Sequence, residues 1–259
     1  MKTIVTTAGR TNELFIEKAQ AIAAELSLPY INRQKKSVKA LQERYNTDVL
    51  VVSKERLEFY AIGTNAPFFF HPNSAAFRLK RLLKGEPDLF LEATNLKRGN
   101  SFFDTTAGLC SDSIIAAYAT GDSGTIYACE VNQIIAYIVS AGLKSYETDF
   151  VKLKTCMQNV NLVHMNAMEA LKAAESNSYD VVYMDPMFEE LIEESSNFEI
   201  LRSIGHHYSL TIDWVEEAKR VAKQRVVVKA HFRSGLFENF GFHRLIRQSS
   251  KFHYGIIEI

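Results

Sequence analysis

Ser101-Phe102-Phe103-Asp104-Thr105-Thr106-Ala107-Gly108-Leu109-Cys110-Ser111-Asp112 decides how this 259-residue chain folds. An apolar strand runs into a carboxylate, a small-residue turn, one glycine and a second carboxylate, and a helix opens at Ser113-Ile114-Ile115. Small residues from Thr105 to Gly108 let the backbone approach a ligand, and the helix start offers unpaired N–H groups. A dinucleotide fingerprint needs three glycines spaced G-x-G-x-x-G, and here Cys110 stands at the second, so a pyrophosphate fits poorly. Asp104 and Asp112 are both expected to face the ligand at the turn. Two carboxylates favour a positive group, an ammonium or a sulfonium, over phosphates. The competing reading is an ordinary strand–helix turn of an α/β domain.

Beyond this turn the pattern alternates between strand and helix: 124–129, 133–142, 147–159, 160–164, 167–175, 180–184, 214–222 and 225–229. Such alternation predicts a doubly wound, mostly parallel sheet of the α/β class. Two last apolar runs, 242–246 and 253–258, are separated only by a short Gln248-Ser249-Ser250-Lys251 turn. That link forces an antiparallel hairpin, where an all-parallel dehydrogenase sheet would need another helix.

Before the turn, a strand at 4–6, helices at 13–26 and 38–45, and strands at 48–52 and 57–62 make a small N-terminal α/β region, residues 1–66. The main domain then spans 67–259. Its first segment, Pro67-Phe68-Phe69-Phe70-His71-Pro72, is too proline-bound for a helix and is expected to pack as an extended linker against that domain, with His71 a candidate pocket residue. A helix at 75–84 carries Arg78, Lys80, Arg81 and Lys84 and is the best local candidate for a phosphate-backbone contact, with solvated charge as the alternative.

Apolar residues at 47% and charged ones at 23% are globular values, which excludes a disordered chain. Lys plus Arg equal Asp plus Glu at 30 each, so no overall charge announces a polyanionic partner and any nucleic-acid site is a local patch. Residues 189–217 are acid-rich and would repel a polyanion. From Lys219 onward nine Lys or Arg face only Glu238 and Glu258, an asymmetry able to guide RNA past one side of the site or to be general surface charge. Three cysteines, an odd number without metal-ligand spacing, fit a reducing compartment and no metal. The first residues are too weakly apolar for a signal peptide, and no window approaches the ~18 apolar residues of a spanning helix, so a cytoplasmic protein without membrane contact is expected.

In doubly wound sheets ligands bind beyond the carboxyl ends of the strands. The residues standing there are Asp104 and Gly108, then Cys129-Glu130-Val131, then Val163-His164-Met165-Asn166-Ala167, then Tyr183-Met184-Asp185-Pro186-Met187-Phe188. Glu130 follows Gly108 by 22 positions, a spacing that suits an acid accepting both hydroxyls of a ribose. The amide of Asn166 can bond an adenine edge. Together these residues point to a nucleoside bearing an amino acid.

On these residues the chain resembles the class I S-adenosylmethionine-dependent methyltransferases over roughly residues 70 to 259: the 104–112 segment resembles their methionine-binding loop and Glu130 their ribose-binding acid. More narrowly, that loop, Tyr183-Met184-Asp185-Pro186-Met187-Phe188 and Arg225-Val226-Val227-Val228-Lys229 resemble the bacterial ribosomal small-subunit RNA guanine-N2 methyltransferases, which carry Gly and Arg where this chain has Cys110 and Ser111. The resemblance implies a seven-stranded Rossmann-like sheet with S-adenosyl-L-methionine as cofactor. It implies cofactor contacts from Asp104, Thr106, Gly108, Ser111, Asp112, Glu130, Val131, Asn166, Ala167 and Asp185, and RNA, ribosomal RNA in particular, as the partner. Asp185 and the Pro186 carbonyl would accept hydrogen bonds from an exocyclic base amine, and Phe188 would stack on the base. Lys229 either reaches the same crevice or forms a salt bridge. Other readings stay open: a methyltransferase for a small molecule or protein side chain, or a cofactor-binding protein without catalysis in which Met187 and Cys110 mark a decayed site. A nicotinamide dehydrogenase lacks its glycine pattern.

Overall fold

The computed structural model describes residues 3–64, 66–186, 210–247 and 250–259. They fall into two compact units, one reaching Phe70 and the other starting at His71.

The first unit holds β1 (Thr3–Thr7), α1 (Glu13–Glu25), α2 (Val38–Tyr45), β2 (Asp48–Val52) and β3 (Leu57–Tyr60). Asn12 and Ser37 cap the two helices by accepting the N–H groups of Phe15 and Ala40. β1 pairs in parallel with β2, and β2 in antiparallel with β3, around a core of Ile4, Leu41, Val49 and Val51. The aromatic segment expected to act as a linker extends this small sheet instead: Phe68 and Phe59 exchange both backbone hydrogen bonds at 2.8 Å, and Phe68 is fully buried.

In the second unit α3 (Asn73–Leu82) and α4 (Leu89–Thr94) precede the alternating core: β4 (Ser101–Asp104), α5 (Ser111–Thr120), β5 (Thr125–Glu130), α6 (Gln133–Ser145), α7 (Val151–Gln158), β6 (Val160–His164), α8 (Ala167–Ala173) and β7 (Tyr179–Met184). Then come α9 (Ile212–Val221), β8 (Ala222–His231), α10 (Leu236–Asn239), β9 (His243–Leu245) and β10 (Phe252–Glu258). The strands form one seven-stranded sheet in the order β6-β5-β4-β7-β8-β10-β9, parallel from β6 through β8 and closed by antiparallel β10 and β9.

Period-two alternation sends neighbouring residues to opposite faces, and here it covers both. Phe103 and Val182 join the cluster of Leu171, Trp214, Val215 and Ala218 under α8 and α9. Phe102 and Tyr183 instead meet Phe90 of α4 edge-on, with centroids 5.6 and 5.2 Å away, and each other tilted at 5.8 Å. The central strands are therefore apolar along nearly their whole length, as strands covered by helices on both sides must be.

Two expected boundaries shift for local reasons. The helix expected from 147 starts at Val151, because the Thr148 hydroxyl takes the Phe150 N–H at 3.1 Å and holds a turn. The strand expected over 225–229 runs from Ala222 to His231, because β10 inserts between β8 and β9 and extends the ladder as far as the Phe252–His231 pair.

Gly255 marks where β10 meets α10 and the segment after it. A Cβ there would lie 2.7 Å from Phe237 Cδ1, 2.8 Å from Phe242 Cβ and 3.0 Å from Val228 Cγ1. Gly255→Ala is expected to lower stability by about 1–3 kcal/mol through overpacking. Urea unfolding should show a lower midpoint with an unchanged slope.

Candidate functional site

The chain leaves β4 for β5 and β6 on one side and returns to β7 on the other, which makes the gap between the ends of β4 and β7 the switch point where such sheets bind ligands. Asp104 lies beside Tyr183 in the paired ladder, so Asp104 and Asp185 end adjacent strands. The turn after β4 fastens them together. The Thr105 N–H and hydroxyl donate to the Tyr183 carbonyl at 3.0 and 2.9 Å. The Asp185 N–H donates to Thr106 Oγ1 at 2.6 Å, and the Thr106 N–H donates to Asp104 Oδ1 at 3.0 Å. The second oxygen of Asp104 accepts the Ser113 hydroxyl at 2.5 Å.

Behind this turn lies a chain of buried charges. Asp112, in the first turn of α5, accepts from Arg78 at 2.5 Å and from the Tyr183 hydroxyl at 2.9 Å, and lies 3.7 Å from Lys229 Nζ. Lys229, near the end of β8, pairs with Asp185 at 2.7 Å. Arg78 also forks onto Asp88, the cap of α4, at 2.8 and 2.9 Å. Burial opposes the charge of Asp112, but Lys229 and Arg78 outweigh it and hold the carboxyl at about 2. Burial dominates at Asp185, whose proton affinity stays raised although Lys229 pulls it down. At Asp104 burial, reinforced by the Asp112 and Asp185 charges, pushes the carboxyl up to about 7 against the hydrogen bonds of Ser113 and Thr106.

Glu130 ends β5 and accepts the N–H of Asn132 at 2.8 Å on one oxygen and that of Gly108 at 3.2 Å on the other. Each oxygen keeps a lone pair for a ligand hydroxyl. Gly108 (φ 48°) and Cys110 (φ 58°) are both left-handed, and the buried Cys110 opens α5 in a conformation that favours glycine. Ser111 is the first residue of that helix. The Val131 carbonyl bonds the His164 ring at 3.0 Å. Asn166 caps α8, its oxygen accepting from Met168 and Glu169, so its amide N–H groups are what it can offer a ligand; Ala167 follows as the first residue of α8. Pro186 follows Asp185 and is buried.

Three expectations need correction. Asp112 does not face the turn as a free carboxylate, because Arg78, Tyr183 and Lys229 occupy it. Arg78 is no phosphate ligand: with Ala75 and Leu79, both fully buried, it lies on the inward face of α3, so the i, i+3, i+4 spacing could have disclosed its burial. The basic C-terminal segment is largely neutralised, since Lys219, Arg220, Arg225, Lys229 and Arg244 pair with Glu216, Glu217, Glu258, Asp185 and Glu238. Lys229, left between two roles by the sequence, joins Asp185. Asp88 and Ser113 adjoin these residues and were not foreseen, since no local pattern marks them; Tyr183, one of the strand-end residues, joins them through its hydroxyl on Asp112. Met187, Phe188 and most of the acid-rich stretch lie outside the described residues. Among the described residues no three His, Cys, Asp or Glu group as metal ligands, and no helix is long and apolar enough to cross a membrane.

Comparison with known proteins adds to this geometry. Residues 33–246 match the family model of SAM-dependent methyltransferases. The chain is 41% identical to the uncharacterized protein YpiP of Bacillus subtilis, over 98% of this chain and 99% of that one. It is 29% identical to the ribosomal RNA small subunit methyltransferase J of Thioalkalivibrio sulfidiphilus, over 82% of each. A solved SAM-dependent methyltransferase from Neisseria gonorrhoeae shares the fold with a TM-score of 0.64 at 18% identity, over 99% of this chain and 96% of that one.

Asp104 carries a pH signature. With its carboxyl at about 7 in the fold and near 3.8 when unfolded, the folded state holds the proton that the unfolded state has released. Stability of the ligand-free protein is therefore expected to fall as pH rises from about 4 to 7, by up to about 1.4 kcal/mol per unit. Denaturation series across this range should show a shallower fall for Asp104→Asn than for the parent protein.

Proposed function

This chain belongs to the SAM-dependent methyltransferase family, and from that premise we propose that it methylates an exocyclic amine of an RNA base, specifically guanine in ribosomal RNA. The observation that carries this reading is Asp185. Its N–H is held by Thr106 and one oxygen by Lys229, which leaves Oδ1 to accept a hydrogen bond from an amine. Kinship with a ribosomal RNA methyltransferase at 29% identity supports the choice of RNA.

The residues present fit S-adenosyl-L-methionine. Asp88, Asp112 and Asp185 surround only Arg78 and Lys229, and Asp104 adds a further buried carboxyl, so a cationic ligand relieves an excess of negative charge at the strand ends. Asp104, with the backbone of Thr106, Gly108 and Ser111, would hold the amino-acid end. Glu130 would hold the ribose hydroxyls, and Asn166, with Val131 and Ala167, the adenine; Asp112 contributes through Lys229 and Asp185. When bound, this cofactor supplies a methyl carbon activated by its sulfonium.

Asp185 Oδ1 and the Pro186 carbonyl accept N–H bonds from the target amine and so aim its lone pair. Holding nucleophile and methyl carbon in line is the main catalytic task. The proton that the amine gives up on methylation would pass to Asp185, whose burial favours protonation. Phe188, by resemblance, stacks on the base.

With methyl-labelled cofactor and small-subunit ribosomal RNA from cells lacking this protein, label should enter the RNA as a methylated guanosine identified by nucleoside mass spectrometry. Asp185→Asn should lower kcat about a hundredfold. Label entering only protein or small molecules overturns the RNA assignment.

A further inference from the structure

Past Lys229, β8 continues to His231, and the antiparallel β10 starts opposite it at Phe252. β9 runs parallel to β8 and ends at Leu245, so Phe232, Arg233, Ile246, Arg247 and Lys251 collect at the same edge of the sheet as Asp185. Phe232 is fixed there. Its N–H donates to the Lys251 carbonyl at 3.1 Å, and its own carbonyl accepts Arg244 Nη1 at 3.0 Å. The residue is nevertheless 36% exposed, with the Arg233 guanidinium 5.1 Å from the ring centroid.

The charge pattern singles out the same edge. Of nine cations from Lys219 onward, five pair with acids, as described above. The exposed remainder is Lys223, Arg233, Arg247 and Lys251; Lys223 lies at the start of β8, on the opposite edge, whereas Arg233 lies by the Phe232 ring, the Lys251 backbone bonds Phe232, and the Arg247 backbone bonds His253, whose ring is 6.1 Å from that of Phe232.

We infer that this rim grips the single-stranded nucleotides next to the target base: Phe232 stacks on a neighbouring base, and Arg233, Arg247 and Lys251 contact phosphates. An exposed aromatic among cations is the arrangement that holds single strands without reading their sequence. Phe232 follows Lys229 by three positions, about 10 Å along a strand, which puts the grip within reach of a base delivered to Asp185. A base drawn out of a helix stays out only if its neighbours are anchored. The inference rests on RNA being the substrate.

The test uses the full chain with small-subunit ribosomal RNA. For the triple variant Arg233→Ala, Arg247→Ala, Lys251→Ala, the salt dependence of RNA binding should become shallower by about 2 in log–log slope, from three phosphate contacts at about 0.7 each. Phe232→Ala should raise the KM for RNA roughly tenfold. Both variants should keep the parent affinity for S-adenosyl-L-methionine, which excludes misfolding as the cause, and Lys223→Ala should leave RNA binding unchanged. If the parent protein methylates RNA and these rim variants match it in KM and salt slope, the rim assignment is wrong. If the parent neither binds nor methylates RNA, the RNA reading itself has failed.

Discussion

Burial of charge at the centre of the second unit constrains everything around it. Asp88, Arg78, Asp112, Lys229 and Asp185 form one continuous chain of ion pairs. They come from α3, the cap of α4, α5, β8 and the end of β7. A charge withdrawn from water is tolerable only while its partners stay in place, and removal of one partner from such a pair typically costs about 3–5 kcal/mol. These elements therefore cannot shift independently. The two helices that precede the alternating core, which a simple strand-and-helix scheme would treat as an appendage, are fastened to the ligand edge of the sheet by Arg78.

The chain of pairs does not balance. Negative groups exceed positive ones, and Asp104 stands close by with a carboxyl pushed up to about 7. Burial is the chief cause of that rise, and the Asp112 and Asp185 charges add to it. Asp112, expected to face a positive ligand at the turn, is committed to Arg78, Tyr183 and Lys229. Under the proposed function a cationic cofactor answers the unbalanced sum rather than two free acids.

The fold was legible where periodicity and spacing determine it: the strand and helix alternation, the antiparallel finish, and Asp104, Glu130 and Asp185 at strand ends. Hidden features depend on residues that meet only after packing. Tyr183 and Asp112 are 71 positions apart, and Lys229 and Asp185 are 44 apart. Ser113 looks like any small residue near a helix start until its hydroxyl is found on Asp104. Cys110 shows the opposite difficulty: a side chain that disfavours left-handed backbone adopts it, so residue type misdirects where neighbouring structure prevails.

Thr106 joins the two halves of the site. Its N–H and hydroxyl address Asp104, while its oxygen receives the Asp185 N–H. Asp104 and the residue proposed to hold the amine are thereby two hydrogen bonds apart. Displacement at carbon demands such coupling, because small errors in the approach of nucleophile to methyl carbon carry large penalties. The rim around Phe232 is built differently: one backbone hydrogen bond from Phe232 to Lys251 and one from the Arg244 side chain fix it, and the buried ion pairs do not reach it. Precision is concentrated where bonds change. The looser construction lies where a flexible strand need only be kept close, and there stacking and phosphate contacts tolerate variation in sequence and posture.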